Sequence, residues 1–308
     1  MGGFHLHSLR GALALTLAAA IWGGVYVVSR VVLREIPPIP LVSMRLVLTL
    51  VVLAPLYFTR RRRATARDYL LALLSGTLGF GLSLVMQFYG TAWSSAHVGS
   101  LITSSSPAFI ALLALPVLGD KLRRAQILAL CLALLGAVVV MGPGGQGGTS
   151  LRGVLALLAA AVTWGLYTVL NRRLARSQDL AFINFWTAAF ALAFLLPLSG
   201  GALSLHFRAF SPALWAGVLY IGVVSTALAM YLWNYGFTQM PAATGGLFLF
   251  VQPIVGTLLG VTLLGERLSP WLWPGAALIA AGVVISLRDG AGARRAPPGV
   301  AIGGGQPD

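Results

Sequence analysis

The sequence predicts an all-α polytopic membrane protein, with ten transmembrane helices arranged as two inverted five-helix repeats. Three observations carry this prediction. Of 308 residues, 58% are hydrophobic and only 9% are charged, and the mean hydropathy is +0.88; a globular protein carries about 25% charged residues to solvate its surface. Ten apolar runs approach or exceed the ~20 residues a helix needs to cross ~30 Å of hydrocarbon. The chain also matches itself at offsets of 142 and 146 residues, and a fixed internal period is the signature of a duplicated unit.

After an N-terminal tail, 1–10, the first span covers 11–29. Its stretch "LTLAAAIWGG" imitates a small-residue cleavage site, but its Trp22-Gly23 pair recurs later, so it reads as a retained helix. The second span, 39–58, carries Arg45, and the third, 69–91, follows the cluster Arg60 to Arg63. The fourth, 96–118, contains "ITSSSPAF" at 102–109, and the fifth is 124–142. A Gly-rich linker at 143–150 separates the repeats 11–142 and 151–288. The sixth to tenth spans are 151–171, 180–199, 212–236, 242–264 and 271–288. The tail 289–308 lacks apolar periodicity and reads as disordered.

The net charge of +14 sits in short clusters between the apolar runs. Such clusters set membrane orientation, and they lack the continuous basic face that nucleic-acid binding needs. With a cytoplasmic N-terminus, inside segments carry 15 Lys and Arg and outside loops 5, which puts both termini in the cytoplasm of an inner (plasma) membrane. The single cysteine, Cys131, excludes an internal disulfide, and no Cys/His spacing suits a metal. No Walker A motif, GxSxG or HExxH is present, which disfavours ATP-driven work and a hydrolytic enzyme. No cofactor is expected.

The repeat is specific. Trp22-Gly23 answers Trp164-Gly165 at an offset of 142; Tyr89-Gly90 answers Tyr235-Gly236, and Pro107 answers Pro253, at 146. "LGDKL" at 118–122 answers "LGERL" at 264–268. Five spans per copy is odd, so the copies enter the membrane in opposite directions. Secondary transporters commonly use that plan, with the site near the midplane between the halves.

These residues resemble EamA-type members of the drug/metabolite transporter superfamily, over about 11–288. The Trp-Gly early in each half, Arg45 in the second span, and the proline in the fourth and ninth spans carry the resemblance. Its most specific piece is "LLGERLSPWLWPGAALIAAGVVI" at 263–285; the first copy departs from it with Asp120-Lys121. The resemblance implies two EamA halves and export of small metabolites, without fixing the substrate.

Within that frame, amino acids are the leading cargo, moved by alternating access without ATP hydrolysis. Multidrug or purine-type efflux is the alternative, and a non-transporting scaffold or intramembrane enzyme the reading from a different class. Arg45 is the one charge inside a span; it either holds a substrate carboxylate or snorkels to the interface and backbone carbonyls. Pro107 and Pro253 mark a helix break or hinge at matching places. Each frees a carbonyl four residues back, Thr103 and Leu249, which Ser104, Ser105 and Ser106, with Gln252 in the second half, either satisfy or leave to packing while they face the cargo. Trp22, Tyr26, Tyr89, Trp164, Tyr167 and Tyr235 are aromatic cavity candidates, with helix packing as the alternative. Gln87, Asn184, Asn234 and Gln252 are intramembrane amides that contact substrate or bond between helices. His97 reads as an interfacial histidine, and the GxxxG of Gly256 and Gly260 as an internal packing face. All seven acids fall at span ends or in loops, so passive or exchange-type export is expected over carboxylate-mediated proton antiport.

Overall fold

The computed structural model describes residues 2–59, 63–118, 124–142, 150–199, 210–239 and 247–293. Every regular element among them is helical. The order is α1 (Gly2–Val32), α2 (Pro38–Phe58), α3 (Ala66–Leu74), a π segment (Ser75–Gly81), α4 (Leu82–Ala92), α5 (Ala96–Thr103), α6 (Ser106–Leu118) and α7 (Arg124–Met141). Then come α8 (Leu151–Leu174), α9 (Leu180–Leu198), α10 (Pro212–Leu219), a second π segment (Tyr220–Leu228), α11 (Ala229–Gln239), a 3-10 turn (Leu247–Phe250), α12 (Val251–Leu264) and α13 (Leu272–Ala293). The cluster Arg60 to Arg62, the stretch 119–123 with Asp120-Lys121, the linker residues 143–149 and the tail from 294 lie outside the described residues.

Seven helical stretches among the described residues are long and apolar enough to cross a membrane: Leu9–Val32, Pro38–Phe58, Ala66–Ala92, Ala96–Ala114, Leu151–Leu174, Leu180–Leu198 and Pro212–Trp233. Three shorter apolar helices, Ile127–Val140, Phe248–Leu264 and Leu272–Gly282, fall at the fifth, ninth and tenth predicted spans. The helix α13 runs on to Ala293, past the predicted start of a disordered tail at 289. The extension is found although Gly290 and Gly292 are poor helix formers.

Helix starts follow side-chain chemistry. Thr65 and Asp68 form a reciprocal capping box at α3, while Ser95, Ser150, Asp179 and Ser211 cap α5, α8, α9 and α10. Each supplies an oxygen to a backbone N–H that the helix cannot satisfy itself. At the other end of α12, Gly265 takes φ +64 and closes the helix in the left-handed region, where a side chain would strain the backbone.

Small residues let the backbones approach closely, as lipid-embedded helices require. A Cβ on Gly23 of α1 would lie 2.6 Å from the Gln252 carbonyl oxygen of α12, and Gly165 of α8 packs on Phe109 and Ile110 of α6. Gly76 in the first π segment abuts Phe190 of α9, and Gly222 in the second abuts Leu48 of α2. Gly90 of α4 meets Leu157, and Gly236 of α11 meets Leu15; α7 and α13 exchange contacts through Gly136 and Gly282. The contact partners, like the glycines, are counterparts at the offsets of 142 or 146: Val255 and Gly256, which also abut Gly23, answer Phe109 and Ile110, and Phe190 answers Leu48. The GxxxG glycines follow the same logic internally: Gly256 faces Ser100, and Gly260 faces Ala96 and Glu266.

Large apolar side chains such as Val51, Val138, Leu155, Ile254 and Leu258 are exposed on the outside. The main interior cluster includes Val25, Leu46, Phe80, Leu84, Phe88, Tyr167 and Ile221, where helices of both halves meet. Beside that cluster lies the candidate site.

Candidate functional site

A cavity of about 60 Å³ is lined by Trp22, Val25, Tyr26, Arg45, Ser83, Leu84, Gln87, Thr103, Ser106, Ala160, Trp164, Leu249 and Gln252. It has room for a few water molecules and is far below the ~300–1,000 Å³ of a typical small-molecule site. A molecule of that size would fit here only if the bundle opened.

Arg45 comes from α2 and is only 5% exposed. Its Nε donates to the Thr226 hydroxyl at 2.8 Å, and its guanidinium carbon lies 5.9 Å from the centre of the Phe88 ring. Its NH1 nitrogen is buried with no hydrogen-bond partner. Thr226 in turn donates to the carbonyl of Ile221, five residues earlier, which is the spacing of the π segment that carries it. The buried Arg45 guanidinium thus does not snorkel outward, and its Nε bonds a side chain rather than a backbone carbonyl. Thr226 also lines a second, smaller cavity of about 10 Å³ with Thr49, Phe80, Tyr167, Asn184 and Thr187, room for about one water.

The polar wall is built around Thr103. Its hydroxyl donates to the Gly99 carbonyl at 2.8 Å and accepts from the Tyr26 hydroxyl. The Gln252 amide nitrogen, from α12, donates toward the Thr103 hydroxyl at 3.2 Å, the Tyr26 hydroxyl at 3.3 Å and the Ser100 carbonyl at 3.3 Å. One amide thereby joins the broken ninth span to the first and fourth.

The break around Pro107 has a clear backbone account. The chain leaves α5 at Thr103 and restarts as α6 at Ser106. The Ser104, Ser105 and Ser106 hydroxyls each donate to the carbonyl three residues back: Leu101 at 2.6 Å, Ile102 at 2.7 Å and Thr103 at 2.6 Å. The Thr103 carbonyl is the one left without an amide donor by Pro107, so Ser106 satisfies it while also lining the cavity.

The aromatic wall joins both halves. Trp22 and Trp164 meet edge to face with ring centres 6.2 Å apart, and Trp233 lies 5.0 Å from Trp22. The Trp22 indole donates to the Ser225 carbonyl at 2.9 Å, and Tyr220 donates to Ile21 at 2.7 Å. Both contacts tie α1 to the second π segment.

Of the residues singled out from sequence, Trp22, Tyr26, Arg45, Gln87, Ser106, Trp164 and Gln252 come together here. Others are placed elsewhere. Ser104 and Ser105 are fully engaged with backbone and buried. Tyr89 packs on Trp93, and Tyr167 stacks on Phe80 beside the smaller cavity. Tyr235 on α11 is half-buried and, like Pro107 and Pro253, is not among the lining residues, and the Asn234 side chain lies outside the described residues. Sequence reasoning missed Ser83, Thr103, Leu249 and Thr226 as neighbours of the site. The repeat offered a signal for two of them, because Thr103 and Leu249 are counterparts, as are Ser106 and Gln252.

His97 departs from its reading as a simple interfacial histidine. It is buried, and its Nδ1 lies 2.7 Å from Glu266 Oε2. Glu266 also accepts from the backbone N–H of Ala96 at 2.8 Å and of His97 at 3.3 Å, so the loop after α12 is bonded to the start of α5. Burial pushes the Glu266 carboxyl up, but the bonds from the His97 ring and the two amides outweigh it and hold the group below its ordinary value. Asp68 accepts from Ser177 at 2.6 Å and Gln178 at 2.9 Å, bonding the start of α3 to the turn before α9.

Comparison with known proteins fits this architecture. The model of the EamA-like transporter family matches residues 9–142 and again 151–288. The uncharacterized transporter YetK of Bacillus subtilis (strain 168) is 27% identical over 93% of this chain and 89% of its own length. A Streptantibioticus cattleyicolor protein named "Probable terminal-alkyne amino-acid exporter" is 30% identical over 92% of this chain and 95% of its own. A solved crystal structure of a protein with no further description superposes with a TM-score of 0.58 at 24% identity, covering 91% of this chain and 95% of that one. The chain is a multi-pass membrane protein and belongs to the EamA-like transporter family.

Proposed function

We propose that the protein exports small metabolites, amino acids foremost, by alternating access in the inner (plasma) membrane, with both termini cytoplasmic. Ten helices form two inverted EamA halves, 11–142 and 151–288, that rock about the cavity between them. The observation that carries this reading is the cavity itself: a buried cationic side chain, two amides and two tryptophans meet there, drawn from both halves. The reciprocal glycine contacts support the inverted pairing, because a pseudo-two-fold arrangement exchanges like contacts between the copies. The breaks at Pro107 and Pro253, and the π segments at matching places in the third and eighth spans, supply the hinges. The amino-acid assignment draws support from the relative named as an amino-acid exporter.

Trp22, Tyr26, Arg45, Gln87, Ser106, Trp164 and Gln252 are the proposed cargo contacts. No acid lines the cavity among the described residues, so transport runs as facilitated or exchange flux without a carboxylate proton relay or ATP hydrolysis. The aromatic wall favours a second cargo reading, flat purines or drugs. A flux screen in proteoliposomes over amino acids and purines tests both. Saturable amino-acid flux supports the proposal; purine flux alone selects the second cargo reading, and no flux of either class sinks transport of both.

A further inference from the structure

Resting on the reading of this cavity as the cargo site, we infer that it recognises an organic anion through one carboxylate at Arg45 and has no subsite for a cargo's ammonium group. The cargo class is then apolar or aromatic carboxylates, for which an α-amino group is dispensable, while cationic amines are excluded.

The argument begins with the charge balance. A guanidinium carries five N–H donors and no acceptor. In this structure Nε is fixed on Thr226, and the NH1 nitrogen, whose two N–H groups belong to a residue 5% exposed, has no partner. A buried cationic group left partly unbonded is costly unless an acceptor arrives. A carboxylate matches that need best, because its two oxygens accept from a guanidinium in a fixed, charge-assisted geometry.

The rest of the lining then limits what accompanies the carboxylate. Arg45 is the one formally charged residue among the described lining residues, and no Asp or Glu faces it there. An ammonium would meet only neutral oxygens and the indole faces of Trp22 and Trp164, at close quarters to a guanidinium of like sign. The donors around Thr103 are already committed, to one another and to backbone carbonyls, and the oxygens left there carry no charge to balance an ammonium. An apolar or flat body, by contrast, finds Trp22, Val25, Leu84, Trp164 and Leu249. Thr226 holds Arg45 from one side, so NH1 is the nitrogen left for an incoming acceptor once the bundle opens.

Equilibrium binding to the purified protein in detergent, by calorimetry, tests this without requiring transport. The probes are L-phenylalanine, 3-phenylpropionate, hexanoate, L-phenylalaninamide and phenethylamine. The acids should bind at least about tenfold tighter than the amide and the amine, and removing the amino group from phenylalanine should change affinity by less than about threefold. Arg45→Gln should erase the difference between acid and amide, and Arg45→Lys should restore part of it. The unmodified protein with the probe series decides the matter even if a variant fails to fold. Equal affinity for acid and amide, tighter binding of phenethylamine than of 3-phenylpropionate, or no binding of any acid would each overturn the inference. Acid binding without flux in vesicles would sink the transport reading and leave this inference standing. Flux of amines with no acid binding would do the reverse.

Discussion

Replacing Ser106 by alanine tests the account of the helix break. The Ser106 hydroxyl donates at 2.6 Å to the Thr103 carbonyl, which Pro107 leaves without its usual amide. Ser106 is buried and Thr103 half-buried beside the small cavity, and lipid supplies no donor to replace the hydroxyl. A typical hydrogen bond is worth about 0.5–1.5 kcal/mol net, but stranding a buried polar group costs about 1–3 kcal/mol. Ser106→Ala should therefore destabilise by roughly 1–3 kcal/mol. Ser104→Ala, whose partner Leu101 carbonyl also lies beside a continuing backbone donor pattern, should cost less, since the Ser104 N–H–to–Ser100 and Leu101 carbonyl bonds persist. Pro107→Ala restores an amide able to reach Thr103, so in that background the Ser106→Ala cost should shrink to under about 1 kcal/mol, a coupling of about 1–2 kcal/mol. Equilibrium unfolding in mixed detergent of the four proteins of this cycle gives the coupling directly. Additive effects, or a Ser106→Ala cost independent of Pro107, would refute the assignment of Ser106 as the proline's substitute donor.

Three more outcomes are expected. Gly23→Ala should destabilise by about 1–3 kcal/mol by overpacking, because the new Cβ meets the Gln252 carbonyl at 2.6 Å; its counterpart Gly165→Ala meets nothing closer than 3.2 Å and should be milder, as thermal unfolding of the two variants will show. The Glu266 carboxyl is held below its ordinary value in the folded protein, so its stabilisation is present above an unfolded pKa of about 4.3 and is lost as pH falls through the lower folded value. Thermal midpoints measured from pH 7 down should drop more steeply below about pH 4 in the unmodified protein than in Glu266→Gln. Flux should not require an imposed pH gradient; proteoliposomes that transport only with one would contradict the absence of a proton relay.

The parts visible in the sequence are those set by local pattern or by the repeat. Apolar run length located the helices. The offset of 146 linked Pro107 to Pro253 and Ser106 to Gln252. The parts that escaped depend on long-range geometry. Arg45 bonds to Thr226 across 181 positions, and His97 to Glu266 across 169; no spacing rule joins residues that far apart. The two π segments also went unread, since an extra residue in a turn leaves no compositional trace, although both contain a glycine at the repeat offset, Gly76 and Gly222. Tyr89 and Tyr167 show the limit of aromatic reasoning: depth in a span does not say which face of the helix carries the ring, and these two rings pack on Trp93 and Phe80.

The central claim is that cargo passes through the cavity shared by the two halves, and flux through site variants tests it most directly. Proteoliposomes holding the unmodified protein, Arg45→Ala or Trp164→Ala should be compared for flux of an accepted amino acid, with matched protein incorporation and unfolding midpoints as controls. The account predicts that each variant loses at least about tenfold in flux, the effect of removing ~1.4 kcal/mol or more of cargo recognition. Unchanged flux in both variants, for every accepted substrate, would contradict it.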